Sequence, residues 1–164
     1  MRVVTKIGDV FSVKISDTEK KYIQLIAFDL TELNSDVIRS FKEIYSIDSK
    51  PELLKIIKGD VEFYTHCVTK AGVKLGFWEK VGNIKEVGNI DNVIFRSSGD
   101  YGIYPRQKII SEDWYVWKIN EDSISIGKLT GDYRKAEIGG VNPPDLVVHR
   151  MKTGELGFSY PNFE

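Results

Sequence analysis

Few side chains in this sequence could carry out catalysis or hold a metal ion: two histidines, His66 and His149, and one cysteine, Cys67. Adjacent residues on a strand point to opposite faces, so His66 and Cys67 would not converge on one ion. The sequence also contains no zinc-binding spacing such as C-x₂-C or H-E-x-x-H. We therefore predict that the protein has no metal site.

The sequence also contains no recognisable set of residues for nucleophilic catalysis. Cys67 could form a pair with His149, but no local signature supports it, and Cys67 falls on the apolar phase of its strand, which predicts a buried, unreactive thiol. There is no G-x-S-x-G serine motif and no glycine pattern of a phosphate or dinucleotide site. We predict that the protein is not an enzyme and binds no cofactor. The alternative is a small hydrolase or nuclease that uses His66, His149, Glu112 and Asp113.

Two pairs of carboxylates, Glu112-Asp113 and Glu121-Asp122, flank a stretch that is rich in aromatic residues. Such pairs could act as acid and base, but at strand ends they are more typical of a solvated rim. Carboxylates beside aromatic side chains also suit the docking of a basic protein partner. Trp114 and Trp117 are three residues apart and face opposite sides of a strand, so one of them could serve as an exposed binding anchor.

The tripeptide Gly-Asp-Tyr occurs twice, at residues 99–101 and 131–133, each time with an arginine nearby. Gly-Asp is common in β-turns, which is one interpretation. Tyr and Arg are also the residues that most often anchor protein interfaces, which is the other. Together with the carboxylates and tryptophan described above, the second interpretation predicts a partner-binding set: Asp100, Tyr101, Arg106, Glu112, Asp113, Trp114, Asp132, Tyr133 and Arg134.

The overall composition narrows the classes of function further. The 164 residues include 23 Lys or Arg and 24 Asp or Glu, giving a net charge of −1. A duplex-binding protein usually carries excess positive charge, so a nucleic-acid partner is disfavoured, although a nucleic-acid-binding β module built around Lys20, Lys21 and Tyr22 remains an alternative. A single cysteine excludes an intrachain disulfide. No signal peptide or membrane span is evident, which predicts a cytoplasmic protein without a membrane partner.

Hydrophobic periodicity predicts many short strands and two short helices. The predicted helices are residues 51–57 and 145–153, because each has a proline at or just before its first turn and a glycine after its last turn. Residues 36–45 are ambiguous, and their pattern alone favours a helix. We predict a single domain over residues 1–164, with a division near residue 91 as the alternative. The fold class is α+β and β-rich, either a mostly antiparallel sheet or an SH3-like, partly open barrel, with strands near residues 7–15, 21–28, 61–70, 74–81, 92–96, 113–119, 123–129 and 136–138.

The opening of the chain resembles a known family. Lys6-Ile7-Gly8-Asp9-Val10-Phe11, a polar turn and then Lys21-Tyr22-Ile23-Gln24 are similar to the start of the immunity protein 26 family, and Gly76, Trp78 and Gly82 match its G-x-W-x-x-x-G element. The resemblance covers the N-terminal half of the chain. It implies a β-rich domain of a bacterial polymorphic-toxin system, with no catalytic residues and with a strand over residues 36–45.

The residues and the resemblance lead to one expected function. We predict an immunity protein that binds and neutralises a cognate bacterial toxin without catalysis. A surface of aromatic residues flanked by carboxylates would cover the active cleft of the toxin, and the charge would speed the encounter with a basic toxin. The sequence specifies neither the toxin nor the oligomeric state.

Overall fold

The computed structural model describes residues 2–100 and 110–164, which form two β-sheets and three short α-helices. The first sheet contains β1 (Asp9–Lys14), β2 (Glu19–Asp29), β3 (Ser35–Phe41), β4 (Tyr45–Ser46), β5 (Val61–Cys67), β6 (Glu79–Asn83) and β11 (Val141–Asn142). The second contains β7 (Ile94–Ser98), β8 (Trp114–Lys118), β9 (Ile124–Gly127) and β10 (Glu137–Ile138). The helices are α1 (Leu53–Ile57), α2 (Thr69–Lys74) and α3 (Pro144–Thr153), and the two 3₁₀ helices are Ile90–Asn92 and Gly131–Lys135.

The predicted fold class is confirmed: the protein is β-rich and α+β, with open sheets rather than a closed barrel. The strand order is β11-β5-β3-β2-β1-β6 in the first sheet and β10-β7-β8-β9 in the second, and β4 adds to β2. Most neighbours are antiparallel, but β11 runs parallel to β5 and β10 runs parallel to β7. Both sheets are therefore mixed, because residues late in the chain join each of them at one edge.

Residues 35–41 form strand β3, so the helix that their pattern favours is wrong and the strand that the resemblance implies is confirmed. β3 lies between β2 and β5, and its two faces are both covered. Val37 faces the second sheet, whereas Ile38 faces the helices on the other side. A strand that is apolar on both faces loses the alternation that distinguishes it from a helix.

The two predicted helices are confirmed at α1 and α3, but α2 is missing from the prediction, and the strand predicted over residues 74–81 is displaced to β6. Asp36, on β3, accepts hydrogen bonds from the backbone N–H and the hydroxyl of Thr69 at the start of α2. This cap comes from a distant strand, so no local cap marks the helix in the sequence. None of the helices in the described ranges is long and apolar enough to cross a membrane.

The first sheet is covered on both faces. On one face, α2 and α3 bury an apolar cluster that includes Phe11, Phe63 and Met151. The opposite face is divided in two: α1 covers the part around Phe41, and the second sheet covers the part around Val37. β7 and β8, which follow residue 91, pack on the first sheet, and β11 belongs to it.

The second sheet presents one face inward and the other outward. Phe95 and Trp117 point inward and pack with Val37 of the first sheet. Trp114 and Val116 point outward, together with Ile94, Ile126 and Leu129. Part of this outer face is covered by residues 158–164, which we call the C-terminal segment.

A fully buried carboxylate, Asp29, joins the two sheets. Its Oδ2 atom accepts hydrogen bonds from His66 Nε2 at 2.8 Å and from Trp117 Nε1 at 3.1 Å. Its Oδ1 atom accepts from the Asn120 backbone N–H at 3.1 Å and from the Thr31 hydroxyl at 3.0 Å. Burial by itself would raise the pKa of Asp29, but these hydrogen bonds outweigh it and hold the pKa below 3.8. The charged carboxylate is therefore the form that the fold requires.

His66 is buried beside Asp29 and against the ring of Phe95, with ring centroids 4.2 Å apart. Burial lowers the pKa of His66 below 6.5, although hydrogen bonding to Asp29 acts in the opposite direction. The neutral ring donates from Nε2 to Asp29, and Nδ1 has no hydrogen-bond partner among residues 2–100 and 110–164. Protonation would place an N–H group at Nδ1 with nothing to accept it, which is costly in a buried position.

We expect Asp29→Asn to lower the free energy of unfolding by about 3 kcal/mol, because in either orientation the amide nitrogen faces buried donors. Urea denaturation followed by tryptophan fluorescence measures the change. Asp17→Asn is the matched control, since the Asp17 carboxylate is fully exposed and makes only a surface ion pair with Lys14. Equal stability of the two variants would contradict a structural role for Asp29.

Acidification should destabilise the protein through His66. Below its unfolded-state pKa of about 6.5, the unfolded chain takes up a proton that the folded state excludes, so stability is present above this pH and falls below it. For the uptake of one proton, the free energy of unfolding can change by at most about 1.4 kcal/mol per pH unit. Below pH 3.8, protonation of Asp29 removes further stability as the pH approaches its lowered pKa.

Urea unfolding at several pH values between about pH 7 and pH 5 gives the free energy of unfolding as a function of pH. This free energy should fall less steeply with acidification in His66→Gln than in the wild type. His149→Gln, measured in parallel, shows how much of the slope comes from the other histidine. An unchanged slope in His66→Gln would exclude His66 as its source.

Candidate functional site

The structure separates the predicted partner-binding residues into an exposed and a buried group. Tyr101 and Arg106 lie outside the described residues. Asp100 and Trp114 are buried. The remaining five are exposed, namely Glu112, Asp113, Asp132, Tyr133 and Arg134.

Trp114 is buried, so the prediction that it is an exposed anchor for a partner is wrong. Its side chain has no exposed surface, because the C-terminal segment lies over it. The ring of Tyr160 is 6.2 Å from it and the guanidinium of Arg96 is 5.5 Å from it. The indole N–H donates to the carbonyl of Ser111 at 2.9 Å. With Trp78 and Trp117, all three tryptophans are buried.

Asp100 has a structural role in the part of the chain that is described. Its carboxylate accepts hydrogen bonds from the hydroxyls of Ser98 and Ser111 and from the backbone N–H of Glu112. These contacts fasten the start of β8 to the end of β7. Asp100 therefore shapes the second sheet and offers little surface to a partner.

Glu112 and Asp113 are exposed and directly precede β8. Glu112 Oε1 is 4.0 Å from Lys128 Nζ across the surface. Asp113 lies beside Gly99, whose lack of a side chain leaves room for the carboxylate. These two carboxylates form a solvated rim at this end of the strand.

The second Gly-Asp-Tyr copy lies on the 3₁₀ helix Gly131–Lys135, which we call the ridge. Its three predicted residues point in different directions. Tyr133 lines an apolar groove on one side of the ridge, and Asp132 lines a polar hollow on the other. Arg134 turns back toward the C-terminal segment, where it pairs with Glu164 and lies over the ring of Phe163.

The apolar groove lies on the open half of the outer face of the second sheet. It has a volume of about 290 Å³, and its walls include Ile94, Val116, Lys118, Glu121, Ile124 and Tyr133. Ile124 is 60% exposed and Tyr133 is 37% exposed. β9, which carries Ile124, is the edge strand of the sheet. The groove thus combines exposed apolar side chains with a charged rim, which is typical of a protein-binding surface.

The polar hollow has the same volume, about 290 Å³, and lies where the two sheets meet. Its lining is mixed, with polar groups from Tyr64, Asn89, Asn92, Asp132, Lys135 and Glu137 beside the apolar side chains of Val93, Ile94 and Ala136. Burial raises the pKa of Glu137, while Arg150 and the backbone N–H of Tyr64 act to lower it. Ile94 lines both the hollow and the groove, so the two depressions are separated only by the ridge.

The C-terminal segment fixes the ridge from behind. Phe163 packs beneath the guanidinium of Arg96 at 5.1 Å and that of Arg134 at 5.4 Å. The Tyr160 hydroxyl donates to the carbonyl of Arg96 at 2.7 Å, and burial raises the pKa of Tyr160 to about 12. Arg96 also donates to the carbonyl of Arg134 at 2.8 Å. These contacts hold Asp132 and Tyr133 in place from one side.

Of the residues behind the hydrolase or nuclease alternative, Glu112 and Asp113 are exposed, His149 is half-buried and His66 is buried. His66 does have a carboxylate partner, Asp29, which the sequence did not suggest, but both side chains lack exposed surface, so no substrate reaches them in this conformation. Cys67 is buried as predicted, and burial raises the pKa of its thiol. Of Lys20, Lys21 and Tyr22, the basis of the nucleic-acid alternative, Lys21 and Tyr22 are buried too, whereas Lys20 is half-buried.

The ammonium group of Lys21 is engaged inside the fold. It donates to Glu62 at 3.2 Å and to the carbonyl of Met151 at 3.0 Å, at the end of α3. A cation at a helix C-terminus is favoured there and is no longer available for phosphate. Within residues 2–100 and 110–164, no three His, Cys, Asp or Glu side chains gather as a metal site would require.

Sequence analysis missed Tyr64, Ile94 and Glu137, which line the two depressions. Each is part of an ordinary strand pattern, and Glu137 lies on a strand of only two residues. A local signal marks one neighbour, the Gly139-Gly140 pair that follows Glu137. Glycine pairs occur in many kinds of turn, so this pair does not by itself indicate a binding site.

Comparisons of the chain with protein-family models, with curated proteins and with solved structures gave no match. The resemblance to the immunity protein 26 family therefore stays a prediction from the residues that carry it.

Gly139 sets the position of β10 and Glu137, and we expect Gly139→Ala to lower the free energy of unfolding by about 2 kcal/mol. A Cβ atom there would overlap the Trp117 ring and lie 2.6 Å from the backbone carbonyl oxygen of Arg96. Gly140→Ala is the control, because nothing lies within 4 Å of its added methyl group. Thermal and urea unfolding compare the two, and equal losses would contradict the close packing at Gly139.

Proposed function

We propose that this chain is a non-catalytic protein-binding module, and that it acts as an immunity protein that neutralises a cognate bacterial toxin. The observation that carries the proposal is the apolar groove beside the ridge, where Ile124 and Tyr133 stay exposed next to charged side chains. A surface of this kind gains free energy when a second protein covers it, at roughly 25 cal/mol per Å² of apolar area.

Tyr133 is suited to be an anchor of the interface. Tyrosine is enriched among the residues that dominate binding energies, because its large ring loses little conformational freedom and its hydroxyl can still form a hydrogen bond. Tyr133 lies on the short 3₁₀ helix of the ridge. The next residue, Arg134, forms an ion pair with Glu164 of the C-terminal segment. A side chain positioned before binding costs less to order in the complex.

The charges around the ridge indicate the kind of partner. Glu121, Asp132 and Glu137 line the groove and the hollow, against Lys118 and Lys135. Arg150 Nη2 lies 3.9 Å from Glu137 Oε2, so carboxylates and cations balance here, and the charges favour a partner that presents both signs where it contacts the ridge. Opposite charges would steer the encounter, and this contribution weakens as the salt concentration rises.

The resemblance adds the biological setting. A member of a toxin-immunity system needs a surface that recognises one toxin, and a groove with an aromatic anchor and a charged rim provides both affinity and selectivity. Neutralisation would follow from steric occlusion: once the toxin is seated on the ridge, its own active cleft is covered. This mechanism needs no chemistry from the buried His66 and Asp29.

The test uses the toxin domain encoded immediately upstream of the gene for this chain, co-expressed in a bacterial host. The wild-type chain should restore growth and form a complex with the toxin. Ile124→Lys should weaken the complex at least 30-fold, which corresponds to about 2 kcal/mol, because it places a charge in the apolar groove. Protection should fall accordingly.

Leu54→Lys is the matched control, because Leu54 is 55% exposed on α1 and lies outside the groove. It should protect as well as the wild type. Failure of the wild-type chain to bind or protect would overturn the immunity function, and equal behaviour of the two variants would exclude the groove as the contact surface.

A further inference from the structure

We propose that the free edge of β9 pairs with the same strand of a second copy of this chain, which gives a dimer with two-fold symmetry. The two strands run antiparallel and join the second sheets of both copies into one continuous sheet. This inference goes beyond the proposed function and concerns the chain by itself, in the absence of any toxin.

One side of β9 has no hydrogen-bonding neighbour in the part of the chain that the structure describes. β8 pairs with the other side, through Tyr115 and Val116, and the strand order of the sheet ends at β9. Glu32 accepts a hydrogen bond from the backbone N–H of Ser123, but this contact lies just before the strand. The outward backbone groups of β9 are therefore open to another strand, and an edge in this state is a template for pairing with a second chain.

β6, the other edge strand of more than two residues in the described ranges, is protected by charge, whereas β9 is not. β6 carries Glu79 and Lys80, and charged side chains on an edge strand discourage pairing with another chain. β9 has the sequence Ile-Ser-Ile-Gly, without a charged residue. The register of each strand shifts once, so a bulge does not distinguish them. The missing charge leaves β9 as the edge that is more open to association.

The apolar residues of β9 match each other in an antiparallel pair centred on Ser125. Ile124 and Ile126 lie one residue before and one residue after Ser125. In such a pair, Ile124 of one copy lies opposite Ile126 of the other. Both side chains are on the outer face of the second sheet, and Ile124 is 60% exposed. Pairing covers this exposed side chain, and the burial of apolar surface stabilises the dimer.

The charges at the two ends of the strand are complementary in the same register. Asp122 lies three residues before Ser125, Lys128 lies three residues after it, and both are exposed. Asp122 of each copy therefore lies near Lys128 of the other copy, at both ends of the seam. The contact of Lys128 with Glu112, at 4.0 Å, is on the surface and leaves the ammonium group available. Opposite charges across a strand pair favour its formation.

The same residues favour this register over the neighbouring ones. Side chains directly opposite each other lie on one face of a sheet, so a symmetric pair must be centred on a residue. A centre at Ile124 places Ile126 opposite Asp122, and a centre at Ile126 places Ile124 opposite Lys128. Both alternatives put an apolar side chain beside a charge, whereas the centre at Ser125 pairs like with like and opposite charge with opposite charge.

Sedimentation velocity of the chain alone, from about 5 µM to about 500 µM, measures the self-association. We expect a monomer–dimer equilibrium with a dissociation constant on the order of 50 µM, because a four-residue strand gives a small interface. Asp122→Lys should weaken the dimer about 10-fold, because like charges then meet at both ends of the seam. Adding Lys128→Asp to this variant restores opposite charges and should return the dissociation constant to the wild-type value.

Asp17→Lys is the matched control, because Asp17 is fully exposed in the turn between β1 and β2 of the first sheet. It should dimerise like the wild type. The proposal is overturned if the wild type stays monomeric over the whole range or if Asp122→Lys dimerises as tightly as the wild type. It is also overturned if the double variant stays as weak as Asp122→Lys.

These variants retain Ile124, so they report on the dimer separately from the toxin assay. If the wild type protects against the toxin but stays monomeric, the dimer is wrong and the immunity function stands. If the wild type dimerises and the double variant restores the dimer, but the wild type fails to protect, the immunity function fails and the dimer stands.

Discussion

The buried carboxylate of Asp29 is the interaction on which the arrangement of the two sheets depends. It lies at the end of β2 and binds a histidine from β5, an indole from β8 and the backbone of Asn120 just after β8. Hydrophobic contact alone would let the second sheet slide over the first, because apolar packing is not directional. The hydrogen bonds from Trp117 and Asn120 have fixed geometry and define one position for it.

That position determines what the surface of the protein presents. Once Trp117 is directed inward to Asp29, the alternation of β8 directs Trp114 and Val116 outward. The C-terminal segment covers Trp114 and leaves the area around Val116 open, and the open part becomes the apolar groove. The buried hydrogen bond between Trp117 and Asp29 thus determines which apolar residues of β8 face outward, where a partner can contact them.

The sequence predicted the elements whose pattern is local and missed those that depend on distant residues. Strands β1 and β8 alternate clearly, and α3 has its prolines and its terminal glycine, so all three were found. α2 is capped by Asp36 from another strand, which no local pattern shows. The same distinction applies to the site: Tyr133 was identified from a local motif, whereas the burial of Trp114 depends on Tyr160, and Glu137 lines the hollow because β10 pairs with β7.

The six residues 137–142 join both sheets, because β10 pairs with β7 and, after two glycines, β11 pairs with β5. These residues leave the ribosome long after β5 and β7. Until then, one edge of each of these strands has unpaired backbone groups, which is the state in which strands associate with other chains. The newly made protein therefore passes through an interval in which chaperone binding would be most useful, and the interval ends when this short connection is translated.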